Sequence, residues 1–171
     1  MPNTPLTLKI KKLKIYLDTS IISYLDQQDA PKEMAITHQL WDKIKADEFD
    51  VVLSNIDFNE IYKCKEDKRK KLVNYLSQIK YSEISVDDRI IKIAERFVDL
   101  DILKKKSFDD CQHIAAAIAS KSDAIVSWNF KHIVNHKTMM GVKAVTALEG
   151  YNDLLIYEPT ILLGGEENDT L

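Results

Sequence analysis

Short apolar runs alternate with longer amphipathic stretches along most of this chain, and that alternation restricts the fold more than any other feature. Residues 14–18, 49–53, 83–86, 124–127 and 154–157 are short and mostly apolar, the pattern of strands, and Pro159 stops the last of them. Between them, residues 32–47 carry Ile36, Leu40, Trp41 and Ile44 at helical spacing, and residues 68–79 carry Leu72, Val73, Leu76 and Ile79. Residues 87–100 place Ile90, Ile91, Ala94, Phe97 and Val98 on a helix, and residues 107–120 contain the helix-prone Ala115, Ala116 and Ala117. Strands joined by helical crossovers run parallel and need helices on both faces. The expected class is α/β, a three-layer α/β/α sandwich around a central, mostly parallel sheet.

The 171 residues are enough for one domain with a sizeable core, expected over about residues 14–159, with a loose start (1–8) and an acidic tail (164–171). A hydrophobic share of 45% with four Gly and four Pro argues for a packed protein rather than a disordered one. The net charge of -3 argues against nucleic-acid binding through bulk charge, although residues 9–14, 63–71 and 104–106 form local basic clusters. Residues 63–71 and 104–106 are candidates for backbone contact with nucleic acid, although solvated helix ends are the commoner reading of each. The two cysteines, Cys64 and Cys111, form no CxxC or CxxH pair, which disfavours zinc and suits a reducing cytosol. No apolar run reaches the roughly 20 residues of a membrane span, and no signal-peptide core is visible. The expectation is a cytoplasmic protein.

Parallel α/β sheets bind ligands beyond the carboxyl ends of their strands, so polar residues at those ends are the candidates. Asp18 follows the first strand, in Leu17-Asp18-Thr19-Ser20-Ile21. It is a metal ligand or, with Thr19 and Ser20, a cap for the next helix. Glu60 lies in the helix after the second strand; its ordinary role is a solvated carboxylate beside Lys63. Asp57 completes a capping-box pattern with Ser54 and so has structural work already. Asp110 lies early in the fourth helical stretch. It either completes a second capping box from Ser107 or, carried by the small Ala face, approaches the sheet edge. His113 shares its face and reads as a packed core histidine. Ser127 and Asn129 end the fourth strand; Asn129 bonds a metal-bound water, caps the following helix, or both.

Three acids at one sheet edge form an oxygen-only set suited to Mg²⁺ or Mn²⁺, which activate water and stabilise a leaving oxygen in phosphodiester cleavage. No Walker loop, GxGxxG or Ser-His-Asp arrangement competes. Ser20 stands where a haloacid-dehalogenase-type phosphatase needs its second Asp.

Taken together, Leu17-Asp18-Thr19-Ser20-Ile21, Glu60-Ile61, Asp110-Cys111-Gln112-His113-Ile114-Ala115-Ala116-Ala117 and Ser127-Trp128-Asn129-Phe130 resemble the four blocks of PIN-domain ribonucleases. The nearest subgroup is the VapC-like proteins of bacterial toxin–antitoxin pairs. Gly150-Tyr151 and Ile156-Tyr157-Glu158-Pro159 resemble that family's closing strand. The resemblance implies a PIN-like sandwich and Mg²⁺- or Mn²⁺-dependent RNA cleavage. It implies Asp18, Glu60 and Asp110 as metal-binding and catalytic acids, supported by Thr19, Ser20 and Ser127. It also implies a small antitoxin partner and a homodimer, with the apolar faces of residues 32–47 and 68–79 as an interface or as core. Many members carry a fourth acid where this chain has Asn129. The missing charge favours one ion, or a second brought in with RNA phosphate. A PIN-like module that binds RNA or protein without cutting is the alternative.

Overall fold

The computed structural model describes residues 11–164; the expectations for residues 1–8 and for the tail beyond Gly164 lie outside them. Five strands, β1 (Leu13–Leu17), β2 (Phe49–Ser54), β3 (Ser82–Ile84), β4 (Ala124–Val126) and β5 (Leu155–Tyr157), form one sheet in the order β3-β2-β1-β4-β5. Every pairing is parallel, with Ile15 opposite both Val51 and Ala124, and Ile125 opposite Ile156.

Alternation along the strands divides the core into two layers. Ile15, Leu17, Val51, Leu53, Ala124 and Val126 face one side and pack with α1 (Thr19–Ser23), α2 (Pro31–Lys45) and α4 (Glu66–Leu76). Tyr16, Val52, Ile125 and Ile156 face the other and pack with α5 (Asp88–Asp99), α6 (Phe108–Ala119) and α7 (His136–Glu149). Helix α3 (Asn55–Tyr62) follows β2 directly. The sheet is fully parallel, and the three-layer α/β/α architecture expected from the sequence is present.

The strand order reverses at β1: β2 and β3 extend one way, β4 and β5 the other. The crevice between the carboxyl ends of β1 and β4 is therefore the topological switch point, where ligands of open α/β sheets bind. Asp18 follows β1 there, and its N–H donates to Val126 O of β4 at 3.3 Å. Ser127 follows β4 at the same edge.

Several local readings change. Helix α7 was not foreseen, although Asn135 accepts from Thr138 N at its start and Gly150, at φ 75°, closes it in the left-handed conformation. Its apolar residues are scattered round the axis and Gly141 interrupts them, which hides the periodicity. Gly141 has a packing reason: a Cβ there would lie 2.5 Å from Ile102 Cγ2. The expected strand 83–86 is Ser82–Ile84, and the expected helix 68–79 is Glu66–Leu76. Most of the apolar stripes of α2 and α4 is core: Leu40, Trp41, Ile44, Leu72 and Leu76 are buried, whereas Val73 is exposed. Among the described residues, no helix is long and apolar enough to cross a membrane.

Candidate active site

Asp18 occupies the N-cap position of α1, yet its side chain makes no cap bond. Its oxygens accept instead from two hydroxyls, Ser20 Oγ at 2.5 Å on Oδ1 and Ser127 Oγ at 2.6 Å on Oδ2. Those hydroxyls are fixed in turn by main-chain donors: Trp128 N donates to Ser20 Oγ and Asn129 N to Ser127 Oγ, both at 2.9 Å. The segment after β4 thus locks the acid after β1. Asp18 is 4% exposed. Burial holds its carboxyl above the usual carboxylate range, against the pull of His113 and the two hydroxyls.

Asp110 reaches the same edge from α6. Ala115, Ala116, Ala117 and Ala119 are all buried, so small side chains seat this helix closely against the core. The second expected capping box does not form: Ser107 makes no cap bond, and the Asp110 carboxylate turns to the segment after β4. It accepts from Asn129 Nδ2 at 3.2 Å and from His132 Nδ1 at 2.8 Å. Burial raises its pKa, opposed by His132 and His113. Asn129 also caps the turn that follows, accepting from His132 N at 2.9 Å on Oδ1. Both roles expected of that amide, a cap and a polar group at the site, are compatible with this geometry. Ser127 and Asn129 thereby tie Asp18 to Asp110 through one short segment.

Glu60 is placed differently. It is half-buried, and Oε1 accepts from His113 Nε2 at 3.0 Å. The other His113 nitrogen donates to the Tyr16 hydroxyl at 2.7 Å, which lies 2.6 Å from Ser54 Oγ. Asp57 is fully buried beneath this group. It accepts from Ser54 N at 2.9 Å, half of the expected capping box, and from Thr19 Oγ1 at 3.0 Å. Thr19 therefore supports Asp57 rather than Asp18.

His113 is buried as the sequence suggested, but among charges. Burial alone would lower its pKa; the hydrogen bond to Glu60 and the carboxylates of Asp57 and Asp18 overcome that and raise it to about 9. It is an internal cation, held as imidazolium. Glu60 responds in the opposite direction: burial is outweighed by His113, and its pKa falls. Asp57 is pushed up to about 7 by burial, against the same histidine. Tyr16 is raised well above its usual value by burial and Asp57, and keeps its proton.

The groups gathered around Asp18 and Asp110 are hydroxyls, an amide and the His132 imidazole, and the two carboxylates are oxygen donors of the kind that suit Mg²⁺ or Mn²⁺. Cys111 offers no soft alternative, because burial and Asp110 push its thiol up to about 12. Among the described residues, no three His, Cys, Asp or Glu side chains are gathered as a metal cage. Magnesium needs no such cage; one or two carboxylates plus water and phosphate oxygens suffice. Asp18 and Asp110 fit that pattern. Glu60 is engaged with His113 through Oε1.

Two residues escaped the sequence reading. His132 stands three positions after Asn129, the spacing that lets an Asn side chain cap the turn and aim the histidine back at α6. Tyr16 is a polar aromatic inside an otherwise aliphatic strand, a sign that something at that level needs its hydroxyl.

No family model and no curated protein matches the sequence. Among solved structures, the chain is similar to one from the crystal structure of VapBC2 of Rickettsia felis bound to a DNA fragment from its promoter. The TM-score is 0.55 at 15% identity, covering 85% of this chain and 98% of that one. At this identity the shared property is the fold, the three-layer arrangement around a parallel sheet described above.

Proposed function

We propose that the chain is a metal-dependent endoribonuclease, the toxin of a two-component pair held in check by a small antitoxin. The observation that carries this reading is Asp18, a buried carboxylate at the switch point whose hydroxyl partners lock it in place without neutralising it. Asp110 stands with it, coupled to it electrostatically and through the segment after β4. Burying such charges is costly unless a cation offsets them. When bound, Mg²⁺ or Mn²⁺ supplies a Lewis acid that activates water and stabilises the phosphoryl oxygens. Asp18 and Asp110 hold the ion. Ser20, Ser127 and Asn129 fix the direction of their lone pairs. Glu60, half-exposed and one hydrogen bond from His113, orients the attacking water or accepts its proton. Asn129, in place of a fourth acid, favours one resident ion.

The antitoxin partner is supported by the likeness to VapBC2. A homodimer and a cytoplasmic location belong to the same reading. The test is incubation of purified protein with single-stranded and structured RNA, with Mg²⁺, Mn²⁺ or EDTA, beside Asp18→Asn and Asp110→Asn. Metal-dependent cleavage lost in both variants supports the reading; unchanged cleavage in both sinks it.

A second reading, an RNA- or protein-binding module without activity, is favoured by one observation: Glu60 is already paired with His113. Calorimetry separates the two, since RNA binding without any Mn²⁺ binding selects the module.

A further inference from the structure

We propose that His132 is a nitrogen ligand of the ion held by Asp110, and that it biases the site toward Mn²⁺ over Mg²⁺. The inference rests on the metal-site reading above but adds a residue and a preference that the acids alone do not imply.

Three observations carry it. First, His132 Nδ1 lies 2.8 Å from Asp110 Oδ2. Bonds of about 2.1 Å on an octahedral ion put neighbouring ligand atoms about 3 Å apart, so the two atoms already have the spacing of adjacent ligands on one ion. Second, the ring is held from both sides of its backbone. His132 N donates to Asn129 Oδ1 at 2.9 Å, and His132 O accepts from the buried Thr138 Oγ1 at 2.7 Å. Third, the remaining ring nitrogen, Nε2, lies 3.5 Å from Ser107 Oγ. Ligating histidines usually donate their other N–H to such a group, which sets the tautomer. In the present arrangement a carboxylate can only accept, so Nδ1 carries the hydrogen. Ligation needs it on Nε2, facing the Ser107 hydroxyl.

His113 is not an equivalent candidate. It is buried, whereas His132 is about a quarter exposed. The expected preference follows from ligand type: imidazole suits transition ions, while Mg²⁺ favours carboxylate, carbonyl and water oxygens. Asn129, expected from sequence to favour a single ion, also positions His132 beside Asp110.

The test uses full-length, metal-free protein loaded with Mn²⁺. Pulsed EPR of the wild type should show ¹⁴N coupling to the ion, replaced by ¹⁵N coupling after ¹⁵N-histidine labelling. His132→Gln keeps a donor for Asp110 without an aromatic nitrogen, and His132→Ala removes both. Both variants should lose the coupling. Mn²⁺ affinity by calorimetry should fall about tenfold or more, with a clearly smaller fall for Mg²⁺. Nitrogen coupling that is missing from the wild type, or that survives in the variants, overturns the proposal, as does an equal loss of affinity for both ions. Wild-type protein that binds no Mn²⁺ at all defeats the metal-site reading itself, a result distinct from binding without nitrogen.

Discussion

The two edges of the sheet use the same residue types to opposite effect. At the amino-terminal edge, Lys12 and Asp47 pair at 2.8 Å, both about half exposed, and Lys14 N donates to Asp123 Oδ2 at 2.8 Å. There the Lys12 hydrogen bond lowers the Asp47 pKa, as an ordinary surface pair does. At the carboxyl-terminal edge, Asp18, Asp57 and His113 are almost wholly buried, and burial raises both acids. Water screens one edge and is excluded from the other. A site is thus marked less by how many charges it holds than by whether solvent can answer them.

The largest predicted effect is on stability. His113→Leu leaves Asp57 and Glu60 without their internal cation and should cost about 3–5 kcal/mol, read by urea unfolding. Lys12→Met at the opposite edge should leave stability nearly unchanged, because that pair is exposed to water. Equal costs would erase the contrast. Next, Asp18→Asn should reduce RNA cleavage by about 10²-fold or more while the fold survives; Asp47→Asn should leave the rate unchanged. Ser127→Ala should follow, with a tenfold to hundredfold loss of metal affinity or rate, seen by Mn²⁺ calorimetry.

The pH response should have opposite signs at the two edges. His113, raised to about 9, contributes stability that is complete below its unfolded value near 6.5 and lost as pH rises through 9. Asp57, raised to about 7, costs stability increasingly as pH rises from about 4 to 7. Metal-free protein should therefore lose stability steadily between pH 5 and 9 from this edge, both groups acting in the same direction. Asp47, lowered by Lys12, acts the other way, its contribution fading as pH falls below the usual carboxylate range. Unfolding curves of wild type and His113→Leu at pH 5, 7 and 9 isolate the buried term. A difference between them that does not shrink as pH rises would contradict a charged His113.

Legibility followed periodicity and chain proximity. β1, β2 and β4 were readable because residues 15–17, 51–53 and 124–126 are buried apolar runs. α5 was readable because Ile90, Ala94 and Phe97 repeat at helical spacing and Asp87 caps it, accepting from Ile90 N. α7 was not, because Gly141 was selected by contact with Ile102, remote in sequence, rather than by helical preference. In the site, Asp18, Ser20, Ser127 and Asn129 were legible as polar residues at strand ends. His132 and the charge on His113 were not.

The sequence by itself determined the class of fold and which strand ends carry polar groups, because strand and helix periodicities are local and each strand's carboxyl end follows from its direction. Only the tertiary structure decided that Asp57 is a buried partner of an internal cation, that Thr19 serves Asp57, that Glu60 is paired with His113, and that His132 stands at Asp110. Those outcomes depend on which groups from distant parts of the chain are brought within hydrogen-bond or ion-pair reach of each other. They depend equally on how completely water is removed there, a property of the packed assembly that no single stretch of sequence encodes.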